Sequence, residues 1–288
     1  MRDETVVRLR HGLDTNGGQS CNAVLRGVTG VEEALFGRLI ASLLPARAVT
    51  AILASTVERI GAIVPISETH VRLLCIGDRN RLMLALHRAL YGNNVALVAS
   101  CLGPNCGRTM DLDIAIDQLL TLPDADDEPS ANTLRAEVAG RAIEVGFRLP
   151  NGEDQEAAAT LSADDLETAA DLMLRRTLVS LTAQDGKPVL IDDVLADLRQ
   201  PLAAAFATRD PEAEIVLRLE CPDCGHVTPA DLDPYDLFRS RTQHAPDILF
   251  DIDRIARAYH WSEAEIMALP VARRRRYLAM IEAAGAPA

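Results

Sequence analysis

Two cysteine pairs hold the chemistry this sequence is equipped for: Cys101 and Cys106 in CLGPNCG, and Cys221 and Cys224 in CPDCG. Each pair follows an apolar run and closes on a glycine. A structural zinc ion takes four ligands in a tetrahedral array, and a close thiolate pair supplies half of them while the glycine turn leaves backbone amides free to point at sulfur. Neither pair is enough alone, so together they predict one four-cysteine zinc site per chain, tying the middle of the sequence to its last third. Cys221 and Cys224 have the commonest spacing; the wider gap between Cys101 and Cys106 is accommodated by Gly103 and Pro104. His226 is the alternative fourth ligand. The competing reading is two pairs of reduced turn cysteines. A thiol–disulfide reading is poorer, because such a motif belongs at a helix start and these pairs follow strands. A closed four-thiolate site has no open position, so it contributes folding energy and no Lewis-acid chemistry. Cys21 and Cys75 have no close partner in sequence and read as a surface-arm thiol and a buried apolar side chain.

Other chemistry is sparse. There is no glycine-rich phosphate loop with its lysine and no His-Glu-x-x-His pair, and the histidines at 11, 70, 87, 226, 244 and 260 have no metal-ligand spacing among themselves. His87 reads as a satisfied surface or boundary residue, and the acidic pairs Asp111/Asp113 and Asp251/Asp253 as solvated faces. The expectation is a protein that is not an enzyme; a metalloenzyme would need one ligand replaced by water and a clustered acid or base. The run Arg273, Arg274, Arg275 and Arg276 is the one basic patch, either a solvated helix face or a docking point for an acidic neighbour.

The elements that must position the cysteines follow from periodicity. NVALVAS runs into the first pair and TMDLDIAI leaves it; AEIVLRLE delivers the second. A unit of strand, cysteine turn and acidic second strand thus recurs at 95 to 115 and 214 to 232. The expected fold is α+β, mainly helical, with short antiparallel β hairpins forming a split four-cysteine zinc ribbon. Residues 1–30 are expected as an extended N-terminal arm and 31–94 as a helical region; 95–120 and 206–233 are the two ribbon halves. Between them, 121–205 hold a linker, a short strand and an inserted helical region, and 234–288 form a C-terminal helical region. Within these, HVRLLCIG has strand composition, Asp78 can cap a helix through Leu82, Leu86 and Leu90 that Gly92 ends, and the acidic stretch 123–132 reads as a loop. Ser162 with Asp165, and Ser262 with Glu265, have capping-box spacing.

At 288 residues the chain can bury a substantial core without relying on metal for all its stability. A formal net charge of -13 repels nucleic acid and anionic membrane, which leaves protein as the natural partner. Few cysteines, no signal-peptide core and no long charge-free apolar run make a reducing cytoplasm the expected compartment. Aromatic residues are only 3% of the chain, leaving little for an aromatic-lined ligand cleft.

Several motifs in order, CIGDRNRLMLALHRALYGNNV, the first cysteine pair with MDLDI, FRLPNGEDQ, LRLECPDCGH and IARAYHWSEAEIMALPVARRRRYLAMI, resemble a baseplate protein family of contractile tails, found in phages and in phage-tail-like injection systems. The resemblance spans approximately residues 25 to 282. It is distantly similar to baseplate hub components. It implies a non-enzymatic, zinc-stabilised structural subunit, present in several copies and contacting other baseplate, hub or spike proteins. Such a subunit is made in the bacterial cytoplasm and then becomes part of a particle. The matching positions are Gly77, Asp78 and Arg79, the four cysteines, and Trp261, Ser262, Glu263 and Glu265 with Arg273 to Arg276. Trp261 and the four arginines are the expected partner-binding residues. The wide first cysteine turn departs from the tighter form of the family. A zinc-ribbon adaptor of an unrelated cytoplasmic complex is the alternative.

Overall fold

Alternating apolar and charged residues near the N-terminus make the first sheet. The computed structural model describes residues 5–15, 18–120, 132–138, 140–161 and 165–285. Strand β1 (Thr5–Thr15) pairs antiparallel with β2 (Gly18–Leu25), which pairs with β3 (Val57–Ile60). Their inward residues Val7, Leu9, Leu13, Ala23 and Leu25 are buried in the main core. Residues 1–30 are therefore not an extended arm over 5–25. Arginines alternate with the apolar residues, Arg8 exposed and Arg10 paired with Glu212, so average polarity hides a half-buried strand.

Helices α1 (Gly30–Ser42) and α2 (Pro45–Thr56) follow, α1 capped by Thr29 with Glu32 and α2 opened by proline. The segment with strand composition is instead α3 (Glu68–Leu73), capped by Ser67, and the start of α4 (Ile76–Tyr91). A short apolar run packed between helices cannot be told from a strand by composition. Gly92 ends α4 with φ 96. Asp78 is not its cap; Cys75 holds that position, and Asp78 lies inside the first turn.

The buried charges of α4 organise what surrounds it. Asp78 is fully buried and accepts the backbone N–H groups of Arg10 at 2.7 Å, His11 at 3.1 Å and Gly12 at 2.6 Å, where β1 shifts register. Gly12 has φ 62, and a Cβ there would sit 2.0 Å from the Ser20 carbonyl oxygen, so the turn requires glycine. Arg79 donates to the carbonyls of Val71 at 3.1 Å and Ala46 at 3.0 Å and to the Thr50 hydroxyl. Arg81 donates to Glu212 at 2.7 Å and to the Leu120 carbonyl at 2.6 Å.

Beyond α4 come β4 (Asn94–Ser100), β5 (Thr109–Ala115) and α5 (Ile116–Leu119); much later, β9 (Ile215–Glu220) and β10 (Val227–Leu232) form the matching hairpin. Between them β6 (Thr133–Val138), β7 (Arg141–Phe147) and β8 (Leu178–Ala183) form an antiparallel sheet in that order. This sheet packs on α7 (Leu166–Thr177) and α8 (Ile191–Arg209) through Ile143, Val145, Phe147, Leu174, Leu198 and Leu202, and α6 (Gly152–Ala158) links β7 to α7. The fold is thus mixed α+β, and its strands are not confined to the cysteine turns. Asp165 caps α7; Ser162 and nearly all of the acidic stretch 123–132 lie outside the described residues.

The chain ends in α9 (Pro234–Gln243), α10 (Ile248–Tyr259), α11 (Glu263–Met267) and α12 (Val271–Gly285). Ser262 and Glu265 make the reciprocal capping bonds, and the Val271 N–H donates to the Val28 carbonyl at 2.9 Å, returning the C-terminal helix to the connection between β2 and α1. No described helix is long and apolar enough to cross a membrane.

The inserted unit is joined to the main body by Glu156, which accepts from Arg72 at 2.9 Å and from the Thr50 hydroxyl; within the unit, Asp154 is fully buried. Burial raises its pKa, but bonds from Arg148 at 2.9 Å, from the Asn151 N–H at 3.0 Å and from Arg176 at 2.7 Å outweigh it and hold the carboxyl below its ordinary range.

Two outcomes are expected. Asp78→Ala leaves three strand amides without their acceptor and lowers the urea-measured unfolding free energy by upwards of about 3 kcal/mol; a change under about 1 kcal/mol would show that those amides find other partners. Asp154 has a depressed pKa when folded, so its contribution is present above the ordinary carboxylate pKa of about 3.9 and is lost as pH falls through the folded value. Thermal melts of Asp154→Asn across the acid range should show a shallower loss of stability than the parent, and parallel curves would contradict this.

Candidate metal centre

The two hairpins meet at their turns. β4 and β5 pair from Asn94 opposite Ala115 to Ser100 opposite Thr109, and the Cys101 N–H bonds the Arg108 carbonyl at 2.8 Å to close the first turn. β9 and β10 pair from Ile215 opposite Leu232 to Glu220 opposite Val227, and the Cys221 N–H bonds the His226 carbonyl at 2.9 Å to close the second. Asn105 with φ 61 and Gly107 with φ 61 give the first turn its width, and Gly225 with φ 69 finishes the second. The five-residue step from Cys101 to Cys106 therefore still delivers both sulfurs.

All four cysteine sulfurs lie within 4.8 Å of one another. Cys101 Sγ is 3.6 Å from Cys224 Sγ, and Cys106 Sγ is 3.7 Å from Cys221 Sγ. No pair is bonded as a disulfide. Four thiolates about 2.3 Å from a tetrahedral metal stand about 3.8 Å apart, so the observed separations are those of a coordination shell. Each sulfur accepts a backbone N–H from the residue two positions on: Gly103 to Cys101 at 3.3 Å, Arg108 to Cys106, Asp223 to Cys221 and His226 to Cys224. Amides aimed at sulfur favour the thiolate.

The electrostatics point the same way. The Cys224 N–H, helped by that of Asp223, brings the Cys221 thiol down to about 7. Cys224 receives the His226 N–H, yet burial and the three neighbouring sulfurs push it up to about 12. Without a cation the cluster can carry only part of its negative charge; a divalent ion makes the fully ionised set favourable. The donor set and its spacing fit a metal ion.

The sequence foresees all four sulfurs and the structure brings them together. His226 is exposed and outside the donor group, contributing its backbone N–H and not its imidazole. What the sequence does not reveal is the lateral bracing. The buried Thr228 hydroxyl accepts the Leu102 N–H at 3.1 Å, and Arg108 pairs with Asp223 at 3.1 Å, both across the hairpins. Met110 and Leu219 form the small core beneath. A Cβ on Gly103 would approach His226 Cβ at 2.9 Å, Cys224 Sγ at 3.1 Å and Cys101 Sγ at 3.2 Å, so this glycine also lets the second turn close over the first.

Of the expected partner-binding residues, Arg274 is not available: it is buried and paired with Glu33 and, at 3.0 Å, with Asp251. An acidic neighbour is indeed bound, but it belongs to the same chain. Arg275 donates to the Leu90 carbonyl. Arg273 lies over Tyr277, Arg276 is exposed, and Trp261 stacks on Tyr259 at 5.2 Å and meets the Tyr277 edge at 4.9 Å. His87 is buried against Tyr91, and its Nδ1 has no partner. Burial, then Arg241, brings its pKa down to about 4, so it is a neutral ring and not a satisfied boundary residue.

No curated protein and no solved structure matches this chain. A family model does: the T4 bacteriophage base plate protein model matches residues 42–238, a span that holds α4, both hairpins and all four cysteines and excludes Trp261 and the arginine run. With the match covering well over half of its length, the chain belongs to the T4 bacteriophage base plate protein family.

Proposed function

We propose that this protein is a structural subunit of the baseplate of a contractile tail, either a phage tail or a phage-tail-like injection system, and that one zinc ion in the four-cysteine site clamps its two hairpins. The observation that carries this reading is the family match, whose span contains both halves of the ribbon. The chemistry agrees with a structural role. Four thiolates fill a tetrahedral shell and leave no position for a substrate, so bound metal adds folding free energy to hairpins whose own core is small. The subunit is not an enzyme on this reading. It is made in the bacterial cytoplasm, is carried in several copies by the finished particle, and contacts other baseplate, hub or spike proteins. On the C-terminal helices, Arg273, Arg276 and the exposed part of Trp261 remain for such contacts; Arg274 and Arg275 hold α12 in place.

Metal content tests the clamp. In protein purified without added metal, mass spectrometry should find zinc that Cys101→Ala and Cys224→Ala each release from this site; zinc that survives Cys101→Ala in full would break the two-hairpin clamp. Particle assembly tests the role. Cells producing the particle but lacking this chain should yield no complete sheathed tails by electron microscopy, with the wild-type chain restoring them and Cys221→Ser restoring far fewer. Normal sheathed tails in its absence would refute a baseplate role.

A further inference from the structure

A second group of metal-type donors lies well away from the ribbon turns, where three distant segments converge. His11 comes from the register shift of β1, Cys75 is the cap residue of α4, and Asp210 follows the last residue of α8. One ligand atom from each lies within 4.8 Å of the other two. Cys75 is 6% exposed and Asp210 2%.

The bonds around the group are those of ligands held in place. The His11 Nε2 is 3.0 Å from the Arg209 carbonyl oxygen, which can only accept, so Nε2 is the donor and Nδ1 is the nitrogen left to ligate. Asp210 Oδ2 accepts the Gly77 N–H at 2.9 Å, which leaves Oδ1 buried without a hydrogen-bond partner. Asp210 makes no ion pair with any arginine or lysine of the described residues. A Cβ on residue 77 would lie 1.8 Å from that same Oδ1, so the helix start is glycine where the carboxylate enters. The backbone of His11 is pinned by Asp78, which accepts the His11 and Gly12 amides and so fixes where the imidazole stands. Burial raises the Asp210 pKa against the opposing Gly77 N–H, His11 ring and Cys75 thiol, so the carboxylate is costly there, and a cation between the three side chains removes that cost.

We propose that His11, Cys75 and Asp210 bind a second divalent ion of zinc type. Nitrogen, sulfur and carboxylate oxygen are the donor set of a borderline-soft metal; calcium or magnesium would call for oxygen alone. Three protein ligands leave the fourth position to water. This ion staples the N-terminal hairpin to the start of α4 and the end of α8, and so does for the main body what the ribbon metal does for the hairpins.

The probe is cobalt(II), titrated into the chelator-stripped, reduced full chain and followed by its absorption spectrum. The parent should saturate at two equivalents, and Cys224→Ser should lose the ribbon equivalent while retaining the other. His11→Gln and Cys75→Val should each saturate at one, with the four-thiolate spectrum of the ribbon intact. Circular dichroism checks that each variant folds; if Cys75→Val does not, His11→Gln decides alone, because it changes a partly exposed residue. Saturation of the parent at one equivalent, or two equivalents retained by a folded His11→Gln, would overturn the second site. Either result would leave the ribbon clamp standing, since its own loss is read in Cys224→Ser.

Discussion

The first two turns of α4 put a carboxylate and two guanidinium groups where water cannot reach them, and the rest of the fold is arranged to satisfy them. Asp78 needs the three amides of β1, Arg79 needs carbonyls from α2 and α3, and Arg81 needs Glu212 and the carbonyl of Leu120. Charged groups held this way resist replacement of a single partner far more than they add stability to a loose assembly, because the survivor is left buried and unpaired. The triad therefore selects one arrangement of the N-terminal hairpin, the α2–α3 corner and the end of α8. Arginine suits this work, since its planar fork meets several acceptors at once; Lys187 is the only lysine in the sequence.

The ribbon depends on the same helix from its other end. α4 passes through Gly92 directly into β4, and Leu84 packs with Val95, Ile116 and Leu232 so that both hairpins stand on one apolar base. Above that base the hairpins have little to bury, and their tips are held by Met110, Leu219 and the sulfurs. Two-stranded hairpins of this size are marginal in water without further support. The helix thus sets where the hairpins start, and the cysteine cluster sets where they meet.

What could be read from sequence was local. The cysteine spacing named the four sulfurs that meet, strand alternation placed β4, β5, β9 and β10, and the Ser262–Glu265 box placed α11. The arrangements that escaped are those decided by distant partners. Asp78 looks like a helix cap by position, yet its partners lie in β1 more than sixty residues away. Arg274 looks like part of a basic patch, and only the packing of α12 reveals Glu33 and Asp251 beside it. His11, Cys75 and Asp210 have no spacing that links them, because the fold alone makes them neighbours. The first hairpin escaped for a different reason: its alternating arginines dilute an apolar face that is fully used.

The split ribbon also imposes an order in time. Cys106 and Cys221 stand 115 positions apart, and a ribosome adding about 5 to 20 residues per second needs roughly 6 to 23 seconds to cover that distance. For that interval the first turn exists without its partner, two thiols short of the four-sulfur cluster, while the inserted sheet and its helices are made and can fold. Once the second turn arrives, the cluster closes a loop around a unit that already has its own core. The inserted unit is then a finished piece held at both ends, and the reducing state of the nascent chain's surroundings over those seconds decides whether the first pair of sulfurs is still free to join it.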